Sequence, residues 1–445
     1  MSIALSQVRA DRAVRSVLES QWNGDPMVLL DSPPGAGKTG IVERLAVQAI
    51  GLMAERCMIA TQTNEQAFDL CRRLARGFPR LSFVFFARQG LAIPADVCFL
   101  ANLNIVHSPR DFPQGPVAVI ANAAKWSWIR DDIEPFDLQI VDESYQLPDY
   151  RFHQIAGLAH RHVLVGDPGQ IAPIITCEIE RWRCDPAGPH VACPSALVTR
   201  HPDIRRISLP VSRRLPTDTA AFVQPAFYPD LPFTALVNGH ERRLGTVPLE
   251  GDALDPAIDL ACDGATIVSL EIPPLITGIY DTQASSTIIR LIERLLARQA
   301  TVTDEAGRRP LKPGTIGVVC THVAQVNAVR ERLPDNCAEV LVETADRFQG
   351  LERQVMIVHH PLSGRADAGA FHLDAGRLCV MLSRHRVACF VVARGGIEPL
   401  LHHYAPGGNR ALGMYNDPEF EGWRAHVTLL AHLEKQGRIV RLQHG

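Results

Sequence analysis

The stretch D-S-P-P-G-A-G-K-T, residues 31–39, follows the apolar run Met27-Val28-Leu29-Leu30 and leads into a helix-forming segment at 41–49. An apolar strand that breaks into a Gly/Pro turn ending in Gly-Lys-Thr, with a helix after it, is the layout of a phosphate-binding loop. Gly35 and Gly37 let backbone N–H groups approach a polyphosphate, and the helix presents its positive N-terminal end to the same anion. Pro34, Ala36 and Gly40 complete the cradle. Lys38 is expected to reach the β- and γ-phosphates of ATP, and Thr39 to set its hydroxyl on Mg²⁺. The usual pattern begins with Gly; here that position is Ser32.

Strands alternate with helical segments on both sides of this loop. A helical stretch at 10–21 precedes it; the strand 56–61, a helix at about 64–76 and the strands 117–120, 136–141 and 162–165 follow. Such alternation predicts a parallel sheet with crossover helices. Residues 77–115, broken by Pro79, Pro94, Pro109 and Pro113, read as a small insertion. The strand at 136–141 ends in Asp142-Glu143, a carboxylate pair where open parallel sheets place their chemistry. Asp142 can hold Mg²⁺ through water, and Glu143 can orient and deprotonate the water that attacks the γ-phosphate. The next strand ends in Gly166-Asp167-Pro168-Gly169-Gln170, a turn able to hold the Gln170 amide beside that phosphate.

Composition sets outer bounds. The 445 residues suffice for two or three domains, and 46% hydrophobic with 21% charged content is ordinary for a soluble protein. The N-terminal residues lack the apolar core of a signal peptide and no eighteen-residue apolar run occurs, so the expectation is a cytoplasmic protein with no membrane partner. Eleven cysteines without a Cys-x-x-Cys pair fit reduced, buried small hydrophobes; Cys177, Cys184, Cys193 and His190 match no common zinc spacing. A net charge of −3 argues against a protein coated in basic surface, though not against a local basic groove. Only Lys38, Lys125, Lys312 and Lys435 are lysines among 45 Lys and Arg, which sets Lys38 apart.

Three blocks, SPPGAGKT, VDESYQ and GDPGQIAP, resemble motifs I, II and III of the superfamily 1 helicases, in particular the group typified by the nonsense-mediated-decay helicase. Residues 209–230, LPVSRRLPTDTAAFVQPAFYPD, are similar to that group's motif IV block. Residues 315–326 resemble its strand and Tyr-x-x-Gln turn, with His322 for the tyrosine; 343–352 resemble motif V and 377–386 motif VI. The resemblance implies two RecA-like parallel-sheet domains with a nucleotide cleft between them and short insertions. The expected division is a first domain at 1–175, a connecting insertion at 176–208, a second domain at 209–394 and a C-terminal helical tail at 395–445. The tail's apolar helical face would dock on the second domain or on a protein partner.

The second half has no phosphate loop of its own. The resemblance implies that it closes over ATP and supplies Arg214 and Arg384 to the γ-phosphate, where a planar, permanently charged fork stabilises the transferring group. Gln349 matches the element linking nucleotide state to strand grip, and Glu352 a carboxylate near the ribose. Arg213 replaces the family's base-stacking tyrosine, and the upstream adenine-reading glutamine has no counterpart, which leaves base preference open. Thr61, Asn64, Asn122, Lys125 and Trp126 fall where the family's first domain touches the nucleic-acid backbone; Trp126 and Trp128 fit core packing equally well. The implied function is an ATP-dependent helicase or translocase on single-stranded DNA or RNA. The alternatives are an ATPase switch that remodels a complex without unwinding, and a binding protein that no longer hydrolyses nucleotide.

Overall fold

The computed structural model describes residues 3–129, 133–175, 178–182, 184–237, 241–249, 251–405 and 417–443. Met27-Val28-Leu29-Leu30 opens β1 (Met27–Asp31), followed in chain order by β2 (Arg56–Thr61), β3 (Phe83–Phe86), β4 (Leu103–Val106), β5 (Val117–Asn122), β6 (Phe136–Asp142), β7 (Ala159–Gly166) and β8 (Arg205–Ser208). These eight form one sheet in the order β4-β3-β5-β2-β6-β7-β1-β8. All its pairings are parallel. Its central strands read as near-continuous apolar runs because both faces are covered. One face takes α1 (Ile3–Trp22), α2 (Lys38–Gly51) and α3 (Asn64–Gly77), whose Val17, Leu45 and Leu74 are buried against the sheet. The other is lined by Phe86, Phe112, Trp126, Phe136 and Phe152. At the start of α3 the Thr63 hydroxyl accepts from the Gln66 N–H while the Gln66 side chain accepts from the Thr63 N–H, a reciprocal cap.

The second half contains β9 (Val211–Pro216), β10 (Thr234–Val237), β11 (Arg243–Gly245), β12 (Ile267–Ile272), β13 (Thr301–Asp304), β14 (Gly307–Pro310), β15 (Ile316–Cys320), β16 (Leu341–Thr344), β17 (Arg353–His359), β18 (His385–Arg394) and β19 (Ile439–Arg441). Six of them form a second parallel sheet, β16-β15-β17-β18-β12-β19. The helix Thr282–Ala297, capped by the Asp281 carboxylate on the Ala284 N–H, covers one face. The helices Thr217–Phe227, Ala375–Leu382 and Pro418–Lys435 cover the other. β9 pairs with β10, and β11, β13 and β14 make a small antiparallel sheet.

Three sequence expectations need correction. Residues 77–115 are not an insertion: β3 and β4 are the outer strands of the first sheet, and Phe83, Val84, Phe85 and Phe86 belong to its core. The prolines of that region lie outside both strands, where a missing N–H removes no ladder bond. The segment 176–208 is not wholly a connection either, since its last residues return as β8 to pair with β1; residues 176, 177 and 183 lie outside the described set. The tail is not only helical. Its β19 is hydrogen-bonded to β12, and its helix Pro418–Lys435 buries Ala425, Leu429 and Leu433. Residues 406–416 and 444–445 lie outside the description. No helix among the described residues is long and apolar enough to cross a membrane.

Candidate nucleotide site

β1 ends where the chain turns, and the Ser32 N–H donates to the Gly166 carbonyl at 2.9 Å, so β1 and β7 fix the root of the loop. Ser32 is fully buried and does not take a left-handed backbone, so serine is tolerated where the pattern has glycine. Gly35 and Gly37 do, with φ of +70° and +91°, a region closed to most side chains. Gly37 is the N-cap of α2 and makes no side-chain cap bond, which leaves the first N–H groups of the helix for an anion. Thr39 and Gly40 lie in that first turn, and Pro34 and Ala36 in the turn before it.

At the C-terminal end of β6, Asp142 is buried and Glu143 takes a left-handed backbone, φ 52° and ψ 45°. For a glutamate this is a strained geometry of the kind that functional sites retain. It is held by the Glu143 N–H donating to Asp142 Oδ1 at 2.9 Å and the Gln146 N–H to the Glu143 carbonyl at 2.9 Å. Lys38 Nζ donates to Glu143 Oε2 at 3.0 Å and stands 3.8 Å from Asp167 Oδ2. Burial, reinforced by the neighbouring Glu143 charge and opposed by Lys38, raises the Asp142 carboxyl above its ordinary range.

The second half meets this face directly. The Leu209 N–H donates to the Asp31 carbonyl at 2.9 Å, Ser212 Oγ to the Pro34 carbonyl at 2.6 Å and the Arg213 N–H to the Gly35 carbonyl at 2.9 Å. A Cβ on Gly35 would lie 2.2 Å from the Arg214 Cβ, so only glycine admits this approach. Arg214 Nε donates to Glu352 Oε2 at 2.7 Å, and Arg386 Nη1 to Glu352 Oε1 at 3.0 Å. Burial raises the Glu352 carboxyl, but Arg214 and then Arg386 outweigh it and hold it below its usual range. Gln349 Nε2 reaches across to Gln170 Oε1 at 3.0 Å, and the Gln170 amide is itself bonded to Asp167. Tyr228, from the motif IV block, donates its hydroxyl to Asp167 Oδ1 at 2.7 Å.

Arg384 is the side chain of this cluster with the least compensation. It is 1% exposed, and its buried Nε and Nη2 have no acceptor. Burial, with repulsion from Arg214, pulls it down to about 10, so it remains charged at neutral pH. Asp167 and Glu143 are among the charges that oppose this pull. A buried, charged fork without an acceptor fits an anion such as a polyphosphate. The hard oxygen donors of Asp142 and Thr39 suit Mg²⁺, which holds few protein ligands beside water and phosphate. Among the described residues no cluster of three His, Cys, Asp or Glu could hold a metal by itself.

The strand candidates are treated unevenly. Thr61 and Asn122 are register partners at the ends of β2 and β5. Thr61 is buried, with its hydroxyl on the Thr63 carbonyl at 3.0 Å; Asn122 donates to Asn64 Oδ1 at 2.6 Å and caps the Lys125 N–H at 2.7 Å. The Lys125 ammonium lies 3.9 Å from the centre of the Phe86 ring, and burial lowers its pKa. Trp126 does not offer a face for base stacking. It is fully buried, donates Nε1 to the Ile59 carbonyl at 3.0 Å and packs on Phe86, Phe112 and Phe136. Trp128, at 73% exposure, is the exposed tryptophan of the pair. Two residues central to the site, Asp167 and Tyr228, stand inside quoted motif blocks without having been singled out. Arg386, which pairs with Glu352, likewise closes the block resembling motif VI, whereas Glu305 carries no local signal.

Two parallel sheets, a phosphate loop at the C-terminal edge of the first and arginines brought to it from the second half make a P-loop nucleotide-binding fold. Residues 272–395, from the end of β12 through β18, match the AAA domain family. The match does not single out the nonsense-mediated-decay helicase group that the motif blocks resemble. Among solved structures, the chain is similar to the PRRSV helicase at 16% identity over 87% of this chain and 54% of that one, with a TM-score of 0.44. It is also similar to Arterivirus nonstructural protein 10 (helicase) in complex with DNA, at 13% identity over 88% and 65%, with a TM-score of 0.43. This chain thus spans 54% of the first of these and 65% of the second. At such TM-scores the likeness adds nothing to the fold described above.

Proposed function

We propose that the protein hydrolyses ATP with Mg²⁺ and uses the cycle to move along single-stranded DNA or RNA as a helicase or translocase. The observation that supports this most is Arg384, a buried charge without an acceptor, delivered by the second sheet to the carboxylates that face the phosphate loop. Lys38 and the first N–H groups of α2 bind the β- and γ-phosphates. Thr39 and Asp142 hold Mg²⁺, which, when bound, offsets phosphate charge. In the described state Lys38 is paired with Glu143. A polyphosphate competes for that ammonium, and its capture releases Glu143 to take a proton from the attacking water. Arg214 and Arg384 stabilise charge on the equatorial oxygens of the transferring group. Gln170 connects Asp167 to Gln349, and through it the γ-phosphate position to the loop before β17.

A second reading is favoured by one observation: Asn64, Asn122 and Lys125 are engaged with their own neighbours. That reading keeps the ATPase as a nucleotide-driven switch acting on a protein or protein–nucleic acid complex. The deciding measurement is ATPase rate against single-strand concentration at two salt concentrations, with Glu143→Gln as control. The motor reading expects stimulation that weakens with salt, because phosphate contacts release counterions, and a control that binds ATP without turnover. No response to DNA or RNA at low salt would leave the switch. Full turnover by Glu143→Gln would remove the assigned base.

A further inference from the structure

β9 presses on the phosphate loop through Ser212 and Arg213, and its carbonyls are held by a residue outside every motif. Arg242 is 4% exposed and donates Nη1 to the Arg214 carbonyl at 2.6 Å and Nη2 to the Arg213 carbonyl at 2.8 Å. One planar fork thus holds two successive carbonyls, which a lysine could not do with the same geometry. The same guanidinium donates Nε to Glu305 Oε1 at 2.8 Å. Glu305 stands in the turn between β13 and β14, which is stiffened by Asp304: its Oδ1 accepts from the Ala306 N–H at 2.9 Å, and its two oxygens pair with Arg309 at 2.6 Å each. Gly307 closes the turn at φ +92°.

The second oxygen of Glu305 accepts from Arg386 Nη2 at 2.9 Å, and Arg386 Nη1 leads to Glu352, which holds Arg214 Nε. The contacts form a closed ring: Arg214 side chain, Glu352, Arg386, Glu305, Arg242 and the Arg214 carbonyl. Charges alternate around it, so each guanidinium but that of Arg214 has a partner on either side. Both the backbone and the side chain of Arg214 are anchored in the ring, whose far side is the small sheet of β11, β13 and β14.

We propose that Arg242 and Glu305 are positioning residues that aim Arg214 at the transferring phosphoryl group, and that the small three-stranded sheet serves to present Glu305. The inference rests on the role proposed above for Arg214. Neither residue touches nucleotide; each acts through the geometry of β9 and of the Glu352–Arg386 pair. Because Arg214 acts on transition-state charge, loss of aim lowers kcat and leaves ATP binding in place.

The test is a double-mutant cycle between Glu305→Gln and Arg214→Ala on the full chain, reading kcat, ATP affinity and melting temperature. Glu305→Gln keeps the size and one acceptor but removes the charge that both Arg242 and Arg386 face. Alone it is expected to lower kcat by about 10- to 100-fold, the scale of a misplacement near 1 Å, with ATP affinity unchanged. In the Arg214→Ala background the same change should alter kcat less than about twofold, since no aimed side chain remains to be misplaced. Arg242→Lys should behave as Glu305→Gln does. Losses that multiply in the double variant overturn the positioning role, as does a kcat of wild-type size in Glu305→Gln. Wild-type turnover in Arg214→Ala would instead strike the role of Arg214 itself, and the two failures are separate readings of one experiment.

Discussion

Replacing Arg384 by methionine should raise the stability of the nucleotide-free protein while stopping its chemistry. The guanidinium is 1% exposed, two of its nitrogens have no acceptor, and burial pulls its pKa well below the ordinary arginine value, to about 10. A fall of that size corresponds to about 3 kcal/mol of unfavourable charge burial. A base held below its unfolded value carries this penalty in full at every pH below about 10, and sheds it only as pH rises further. Methionine fills a similar volume with an adaptable apolar chain, so most of the penalty should be recovered. Replacing buried charge by packed apolar groups is stabilising by ~1–4 kcal/mol in comparable cases. Hydrolysis should move the other way, falling by ~10³ or more, which is at least ~4 kcal/mol of transition-state stabilisation. Urea unfolding without nucleotide and steady-state phosphate release would be measured on the same preparations. A variant that melts earlier than wild type and keeps turnover within tenfold would show Arg384 to be a structural ion, and the reasoning would fail.

Two further outcomes follow from buried groups. Asp142 is an acid held above its ordinary range, so it weakens the fold as pH rises through its raised value; relative to wild type, Asp142→Asn should therefore gain stability from mildly acidic to neutral pH while losing Mg²⁺-dependent hydrolysis, and a stability difference that stays flat with pH would refute this. Trp126→Ala should cost ~3–5 kcal/mol of stability and leave strand affinity per folded molecule unchanged; the reverse, weakened strand binding with an unaltered melt, would restore the tryptophan to the binding surface.

The phosphate loop, the acidic strand end and the individual central strands were legible because each is encoded within a dozen contiguous residues. Gly35, Gly37 and Lys38 declare a backbone geometry and a charge that have few other uses. β3 and β4 were obscured for the opposite reason: four-residue apolar runs between prolines look the same in a loop as at a sheet edge, and only the partner strand distinguishes them. β19 is shorter still. Trp126 was ambiguous because its burial depends on Phe86, Phe112 and Phe136, which are distant in sequence. Glu352 was visible as a carboxylate in a motif, but its pairing with Arg214 and Arg386 is a property of three separate elements. Arg242 and Glu305 were beyond reach, since an arginine before one short strand and a glutamate in a hairpin turn are ordinary surface residues until the fold closes around them.

The pairing of β19 with β12 also orders the birth of the two halves. The first sheet can be complete once residue 208 has been made, whereas β12, at 267–272, waits for β18 on one side and for residues 439–441 on the other. Throughout that interval an apolar strand of the second half has open edges, the condition under which nascent chains pair wrongly with their neighbours. The half that carries the arginines is therefore the last to be sealed, and during synthesis a finished phosphate loop precedes the side chains proposed to make it an enzyme.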